Sequence, residues 1–564
     1  MTTDKHVADR EFLVSAETAS VLDAEAHSEW GLNPYALIEA AGRNCAQVFM
    51  KAFPDFFGTA IGAKGPRITV VAGAGNNGAD AMVMLRYWIL SDFARASSST
   101  VVINRIPAAN DTSPRAELVK SFRKMKVNLL VWDGDAGETA GQAPEDMLAL
   151  SDIIVDGIAG TGLKGPLHGQ VREMVNSVNA HRKNAELSPV SDSPYQASHS
   201  PLISRPFVAS IDIPSGNFDQ WEPGMPIVKA DCTLAIEPRK YCIFTPAARP
   251  YAGIVLPVNG IFPDPLVSKF EGVEFLDWEK AGKRISRIPP DAYKYKRGTV
   301  EIRAGSPGAS GAALIAARGA QAAGAGLIRL VADDEIYPIL ASQSSGIMVA
   351  PGGSDESLND FEGRFKPDAI LLGPGWGLYP QRTQIVNKAL ALEKNGTPLV
   401  LDADALTFVG DHTFSGRAIL TPHPGEFGKF TGLGLDEFLS HPAPVLLKYA
   451  RERNAVIVLK SHVITIAAPD GRLGVIDGMT AGLAAGGSGD LLAGFCSAIA
   501  ARMIQEDRYF DAYTCAAAAA SLLIASGKTK SLKNRFTDPL EIADVAAGIA
   551  GEAWLDQDVT NVSR

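Results

Sequence analysis

Cysteine is scarce in this sequence. Five occur among 564 residues, Cys45, Cys232, Cys242, Cys496 and Cys515, and no two stand at C-x-x-C spacing. An odd count without such a pair argues against a disulfide framework and a zinc cage and fits a reducing, cytoplasmic setting. Long apolar runs are also missing. The most apolar late stretch, Cys515 to Ala525, falls short of the roughly 18 residues that a membrane helix needs, so it is expected as a buried helix with no membrane partner. The N-terminal segment around Asp4, Lys5, Asp9 and Arg10 is charged and lacks the apolar core of a secretory signal. An excess of positive charge is absent as well: 53 Lys and Arg face 63 Asp and Glu, a net charge of −10. That balance works against nucleic acid as a main partner, while a local basic patch around a phosphate site would survive it.

What is present is a globular composition, 46% hydrophobic and 21% charged, with 54 Gly and 35 Pro for tight turns. The length exceeds what one core usually serves, so more than one domain is expected. Residues 15–53 read as helices broken at Asn33-Pro34. Short β-branched runs at Arg67–Ala72, Thr100–Ile103, Ile153–Val155 and Val208–Ile211 alternate with helical stretches such as Ala81–Leu90. This alternation predicts a parallel, doubly wound sheet. Residues 185–206 contain ten Ser or Pro out of 22 and read as a loop insertion. A boundary falls between Phe262 and Pro290, dividing a domain over 1–270 from one over 285–564. The second series has strands at Thr299–Ala304, Leu327–Val331, Ala369–Leu372, Leu399–Leu401, Val456–Leu459 and Val463–Ile466. An Ala-rich helix ending near Gly324 follows its first strand.

The strongest motif is Gly486-Gly487-Ser488-Gly489-Asp490, followed by Leu491, Leu492, Phe495, Ile499 and Met503 at helical spacing. Its glycines therefore open a helix. There, unpaired amides and the positive end of the helix dipole bind phosphate oxygens. An aspartate at that point repels phosphate, and its useful role is to take a proton from a hydroxyl attacking a terminal phosphoryl group. The plainer reading makes Asp490 a helix cap. Three strand-end turns favour the site: Gly373-Pro374-Gly375-Trp376-Gly377, Asp402-Ala403-Asp404-Ala405-Leu406 and Thr421-Pro422-His423-Pro424-Gly425-Glu426. In open α/β sheets ligands bind beyond strand carboxyl ends, where these turns would converge.

The N-terminal half has its own polar strand ends. Gly73-Ala74-Gly75-Asn76-Asn77-Gly78-Ala79-Asp80 follows the first strand, and Asp156 and Ser215 lie in VDGIAGTG and DIPSG, the latter beginning at Asp212. A G-x-G after a strand is a weak signal alone, but a plain turn has no need of two asparagines and an aspartate. Buried carboxylates at Asp156 and Asp212 require a cation, a donor or a ligand. Oxygens from Asp, Asn and Ser suit a hard monovalent or divalent cation. The alternative, that both aspartates cap helices, stands beside it.

The ordered set GPGxG, LDADAL, LTPHPGE, LKxxxxI and GGSGD, from about Tyr293 onward, resembles the NAD(P)H-hydrate dehydratase family, which implies a ribokinase-like α/β fold. The block Leu13–Pro263, through GxGNNGxD, VDxxxGTG and DIPSG, resembles the NAD(P)H-hydrate epimerase family, with a Rossmann-like doubly wound fold. In the first half the resemblance implies K+ on Asn77, Asp156 and Ser215. It also implies substrate contacts from Asn76, Asn77, Gly78, Ala79 and Asp80, from Gly160, Thr161, Gly162, Leu163, Lys164, Gly165 and Pro166, and from Asp212. In the second it implies nucleotide contacts from Lys460, Ser461, His462, Val463, Ile464, Gly487, Ser488 and Gly489. Substrate contacts there are implied for Gly324, Gly326, Gly375, His423 and Asp490.

Three departures from the family pattern stand out: Thr480–Ala485 in place of an Asn-Pro-Gly approach, Ser461 in place of a glycine, and Gly78-Ala79-Asp80-Ala81 in place of GGDG. The last is expected to set methyl groups beside the substrate and weaken affinity.

Together the halves imply repair of hydrated NADH and NADPH (NADHX and NADPHX). The first half would epimerise R and S hydrates, with Asp212 moving the proton. The second would dehydrate the S epimer with ADP and Mg2+, Asp490 acting as base, yielding NAD(P)H, AMP and phosphate. A homo-oligomer is expected. The alternatives are a ribokinase-type kinase of a stable alcohol and an N-terminal domain that is only a scaffold or a ligand-binding module.

Overall fold

The computed structural model describes residues 11–54, 65–108, 110–132, 143–183, 206–285, 288, 291–352, 366–506, 510–531 and 537–552. The insertion expected at 185–206 lies outside the described residues except for Pro206. The chain divides into two compact units, one spanning Phe12–Val273 and one beginning at Glu274.

The first unit is built on seven parallel strands: β1 (Ile68–Ala72), β2 (Ser99–Ile103), β3 (Asn128–Val131), β4 (Ile153–Gly157), β5 (Phe207–Ile211), β6 (Cys232–Ile236) and β7 (Ile254–Val258). Their order is β3-β2-β1-β4-β5-β6-β7, and every pairing is parallel. All residues of β1, β2, β4, β5 and β6 are buried, as a sheet covered on both faces requires. Helices α1 (Ala16–Ser28) and α2 (Pro34–Ala52) begin at side-chain caps. Asn33 accepts from the Tyr35 amide at 2.9 Å, with Pro34 opening α2, so the break expected at Asn33-Pro34 is where a new helix starts.

The order reverses between β1 and β4, and loops after those strands form a crevice at such a switch point. Gly73 allows the two loops to touch, because a Cβ there would lie 1.9 Å from the Ile158 carbonyl oxygen. Helix α3 (Asn76–Leu90) then starts directly from the glycine loop, five residues earlier than its hydrophobic pattern suggested.

In the second unit, the strands are β8 (Thr299–Arg303), β9 (Leu327–Ala332), β10 (Met348–Pro351), β11 (Ala369–Leu372), β12 (Leu399–Leu401), β13 (Ala418–Leu420), β14 (Val456–Leu459), β15 (Val463–Ala467) and β16 (Leu473–Asp477). They run in the order β16-β15-β14-β13-β12-β11-β8-β9-β10. Strands β8 to β14 pair in parallel, but β14, β15 and β16 are antiparallel. Only three residues, Lys460, Ser461 and His462, separate β14 from β15, too few for a parallel crossover.

Four helices of this unit matter below: α4 (Ser310–Ala322), α5 (Pro424–Thr431), α6 (Ser488–Gln505) and α7 (Ala512–Ser531). The last contains the buried stretch expected from Cys515 to Ala525. Among the described residues no helix is long and apolar enough to cross a membrane.

Helices α4 and α6 meet through small residues. Ala316 and Ala320 lie against Gly494, where a Cβ would come within 2.2 Å of the Ala316 carbonyl oxygen and 2.9 Å of the Ala320 nitrogen. Backbone cannot yield as a side chain does, so Gly494→Ala should destabilise the unit by about 1–3 kcal/mol, measurable as a lowered thermal midpoint. A midpoint equal to wild type would show that this approach does not constrain α6.

Candidate active sites

In the second unit the sheet delivers its polar turns to one edge. The turns at Gly373–Gly377, Asp402, Thr421–His423 and Lys460 directly follow β11, β12, β13 and β14. Asp402 is buried. It pairs with the Lys460 ammonium and accepts from Thr421 Oγ1 at 2.9 Å. Lys460 also lies 3.9 Å from Glu426 Oε2. A Cβ on Gly489 would stand 3.2 Å from Lys460 Nζ, so this lysine bridges the sheet edge and the first turn of α6.

Gly487 is the N-cap of α6 at φ 100°, left-handed backbone that suits glycine. Ile315 and Pro539 would crowd a Cβ there, at 2.7 and 3.0 Å. Ser488, Gly489 and Asp490 form the first turn, whose amides have no acceptor within the helix. Asp490 is in the third helical position and is not the cap. Burial raises its carboxyl to about 7, the negative charges of Asp402 and Glu426 add to the rise, and Lys460 partly offsets it. Burial works against the Lys460 charge, but Asp402, Glu426 and Asp490 outweigh it and leave the ammonium above its ordinary value.

His423 caps α5 through its ring. Nδ1 accepts from the Gly425 and Glu426 amides at 3.0 and 3.3 Å, and Glu426 returns a bond to the His423 amide at 2.8 Å. Its side chain is 56% exposed, so it is no core residue, and the reciprocal cap is a structural duty that its sequence context had not suggested. Gly375, at φ 54°, is tied in by Ser306 Oγ, which donates to its carbonyl at 3.0 Å. Gly377 donates to Asp404 at 2.7 Å, which links the GPGWG and LDADAL turns.

Two expectations require correction here. Gly324 and Gly326 precede β9 and so sit at the opposite edge of the sheet from these turns. Arg502 donates to the Ala323 carbonyl beside them, and Arg502 is fourteen residues along α6 from Ser488, roughly 21 Å at 1.5 Å per residue. A Cβ on Gly326 would lie 1.8 Å from the Lys294 carbonyl oxygen, so a close backbone approach is enough to require this glycine. Within the expected nucleotide segment, Val463 and Ile464 are buried, Ser461 folds back on Val463, and Lys460 is bonded into the charged cluster.

In the first unit, a cavity of about 860 Å³ opens at the switch point between β1 and β4. Its lining includes Asn76, Asn77, Asp80, Gly160, Thr161, Gly162, Leu163, Pro166 and Asp212. Of the other expected contacts, Gly78, Ala79, Lys164 and Gly165 are not on its wall. Gly78 packs the first turn of α3 on the loop below, since a Cβ would meet the Gly73 carbonyl oxygen at 2.5 Å. The methyls of Ala79 and Ala81 are buried in the hydrophobic core, so the GADA departure puts no methyl beside a ligand.

Asp156, Ser215 and Asn77 meet near the cavity. Ser215 Oγ bonds Asp156 Oδ1 at 2.5 Å, and the Ser215 amide and Ser210 hydroxyl donate to Oδ2 at 2.9 and 2.7 Å. Asn77 Nδ2 donates to the Ala159 carbonyl at 3.1 Å, and that carbonyl lies 2.9 Å from Ser215 Oγ. Burial raises the Asp156 carboxyl, and these donors restrain the rise. Asp212 caps no helix. It follows β5 at φ 64° and pairs at 2.6 Å with buried Lys240, whose Nζ also donates to the Ile236 carbonyl at 3.0 Å. Asp23 from α1 shares the lining.

Lys240 and Asp23 were not anticipated. Lys240 stands four residues beyond a strand that the sequence did not mark, and Asp23 is one polar position on an unremarkable helix. Asp402 and Glu426 were visible only as letters of strand-end motifs.

Residues 34–242 match the family model described as YjeF-related protein N-terminus, and residues 300–546 match the model described as NAD(P)H-hydrate dehydratase. The bifunctional NAD(P)H-hydrate repair enzyme Nnr of Moorella thermoacetica is 28% identical over 508 residues, 87% of this chain and 88% of its own length. The chain belongs to the bifunctional NAD(P)H-hydrate repair enzymes. The Salinibacter ruber member is 28% identical over 522 residues, 87% of this chain and 88% of its own. Among solved structures, an ADP/ATP-dependent NAD(P)H-hydrate dehydratase from Bacillus subtilis, co-crystallised with ATP and Mg2+, is 26% identical. It covers 50% of this chain and 98% of its own, with a TM-score of 0.43.

The cap and a substrate contact can be separated at His423 of this repair enzyme. His423→Ala removes the cap and should cost roughly 0.5–2 kcal/mol, while His423→Asn keeps a capping oxygen and should cost less. A raised KM in both variants, with stability restored only in the second, would assign His423 a binding role; KM values equal to wild type would limit it to the cap.

Proposed function

We propose that this chain repairs hydrated NADH and NADPH, its first unit interconverting the R and S hydrates and its second dehydrating the S epimer with ADP as phosphoryl donor. The observation that carries the reading is the union of an anion-binding helix start at Gly487–Gly489 with a carboxyl at Asp490 poised near neutrality. Both lie in a chain of the hydrate-repair family. Hydration leaves a hydroxyl on the carbon attached to ring nitrogen, and hydroxide leaves poorly. Asp490 takes the proton of that hydroxyl while the amides of Gly489 and its neighbours hold the phosphoryl oxygens and Lys460 offsets their charge. The carbon–oxygen bond of the ester then breaks with the ring nitrogen lone pair assisting, phosphate leaves, and the neighbouring ring carbon loses a proton to water, which restores the reduced nucleotide with AMP and free phosphate. A kinase of a stable alcohol would instead retain the phosphorylated product.

Mg2+ fits as a companion of the nucleotide more than as a resident of the protein. Among the described residues no three His, Cys, Asp or Glu side chains form a metal cage, and Mg2+ characteristically takes phosphate oxygens and waters with one or two carboxylates. Glu426, partly exposed beside Lys460, is the carboxylate in reach. For K+ the donors fit better as a site. Asn77, Asp156, Ser215 and the Ala159 carbonyl supply several oxygens but a single carboxylate, a set suited to a hard monovalent cation. Bound there, K+ would offset phosphate charge on the substrate. The acidic net charge and the absence of a membrane-spanning helix among the described residues support a cytoplasmic enzyme of small molecules. Assembly into a homo-oligomer belongs to the same proposal.

The decisive assay supplies mixed epimers of hydrated NADH or NADPH with ADP or ATP and follows reduced-nucleotide absorbance and phosphate together. Equal release of NAD(P)H and phosphate, faster with ADP, is expected; a stable phosphorylated product would favour the kinase. As Asp490 must be ionised to act as base, kcat/KM for dehydration should fall about tenfold per pH unit below about 7 and level off above it. Asp402→Asn removes a charge that raises that carboxyl, so the acid limb should move to lower pH. An unmoved limb would exclude Asp490 as the titrating base.

A further inference from the structure

The epimerase cavity brings three carboxyl groups, Asp23, Asp80 and Asp212, to one ammonium, Lys240. The lysine is committed: its Nζ pairs with Asp212 Oδ1 at 2.6 Å and with a backbone carbonyl at 3.0 Å. Glu237, also on the wall, is taken up by the Phe262 amide at 2.9 Å and by the Ile261 amide. Asp80 differs from both. It is 8% exposed, it lines the cavity, and its Oδ1 is buried with no hydrogen-bond partner among the described residues. An ionised oxygen so placed would lose its hydration without replacement, whereas a protonated carboxyl loses far less. Burial, with the negative charges of Asp212 and Asp23, pushes the Asp80 carboxyl well up in the same direction, and Lys240 only partly opposes them. One cavity thus holds a carboxylate in direct contact with the ammonium and a carboxyl whose buried oxygen has no hydrogen-bond partner among the described residues, the separation of states that acid and base roles require.

Resting on the epimerase reading above, we propose that Asp80 is the acid and Asp212 the base of an inversion by loss and return of water, with Lys240 as the residue that positions Asp212. Asp80 gives its proton to the ring hydroxyl, the carbon–oxygen bond breaks, and water leaves as the ring nitrogen lone pair forms a carbon–nitrogen double bond. Water then adds to the opposite face of the same carbon and gives a proton to Asp212. Proton exchange through cavity water returns both carboxyls to their starting states. One water leaves and one enters, so the product is an isomer of the substrate.

The test uses the full chain and one epimer of hydrated NADH in water enriched in oxygen-18, with no ADP or ATP, so that dehydration stays idle. Loss and return of water predicts one solvent oxygen gained per inversion above the buffer control. Inversion with the original oxygen retained would overturn the proposal in favour of ring opening and leave the epimerase reading standing. No inversion above the control would remove that reading and the proposal together. Asp80→Asn should lower kcat by about 100-fold with KM little changed. Lys240→Met should lower kcat at similar KM and retain oxygen exchange in whatever inversion remains. Unchanged kcat in Asp80→Asn would also overturn the assignment of the acid.

Discussion

A single buried lysine set against several carboxyl groups is the constraint on which both units depend. Lys240 holds Asp212 beyond β5, and Lys460 holds Asp402 beyond β12. Parallel strands place their carboxyl ends at one edge, so side chains just past those ends are drawn together out of water. Each added carboxyl then raises the cost of ionising the next. One ammonium cannot neutralise all of them, and the surplus group, Asp80 in one unit and Asp490 in the other, is the one driven toward its neutral form. The reactive character of these two aspartates is therefore a property of the cluster.

Glycine and alanine make that crowding possible. Gly73 lets the two loops at the switch point meet, and Gly494 lets α6 press on α4, which fixes where the amides of its first turn point. Gly489 leaves room for the lysine tip. These positions act by having no Cβ and bring no chemistry of their own. They matter to the sites as the charged groups do, because α6 carries Asp490 and the room at Gly489 lets Lys460 approach its first turn.

Much of this was legible in the sequence. The β-branched runs marked most inner strands of both sheets, though not Cys232–Ile236, and the glycine turns marked the ends that carry polar groups. The edge strands were not legible: Asn128–Val131, Ile254–Val258 and Met348–Pro351 have one face or end in polar surroundings or carry a proline, and their pairing partners lie elsewhere in the sequence. The antiparallel turn of β15 and β16 was hidden because both strands are almost wholly buried, so that their pattern carries no direction and only the short links reveal it. Within the sites, motif letters marked Asp490, Asp212 and Asp156, which the fold places at strand ends or at a helix start, while contiguity also took in Ala79, Val463 and Gly326, which pack into the protein. A segment that touches a cavity alternates its side chains between cavity and core. The partners Lys240 and Asp23 come from elements with no motif, and only the folded chain brings them to the carboxylates.

The backbone at Asp212 has a further consequence. Its φ of 64° is a conformation that glycine adopts freely and asparagine tolerates well, while an aspartate here must also bring a carboxylate into a buried site. A glycine here would ease the backbone but strand the Lys240 ammonium in a buried site without its partner, a cost of roughly 3–5 kcal/mol. The same pairing that holds the carboxylate for chemistry therefore also shields this strained position from being traded away for stability.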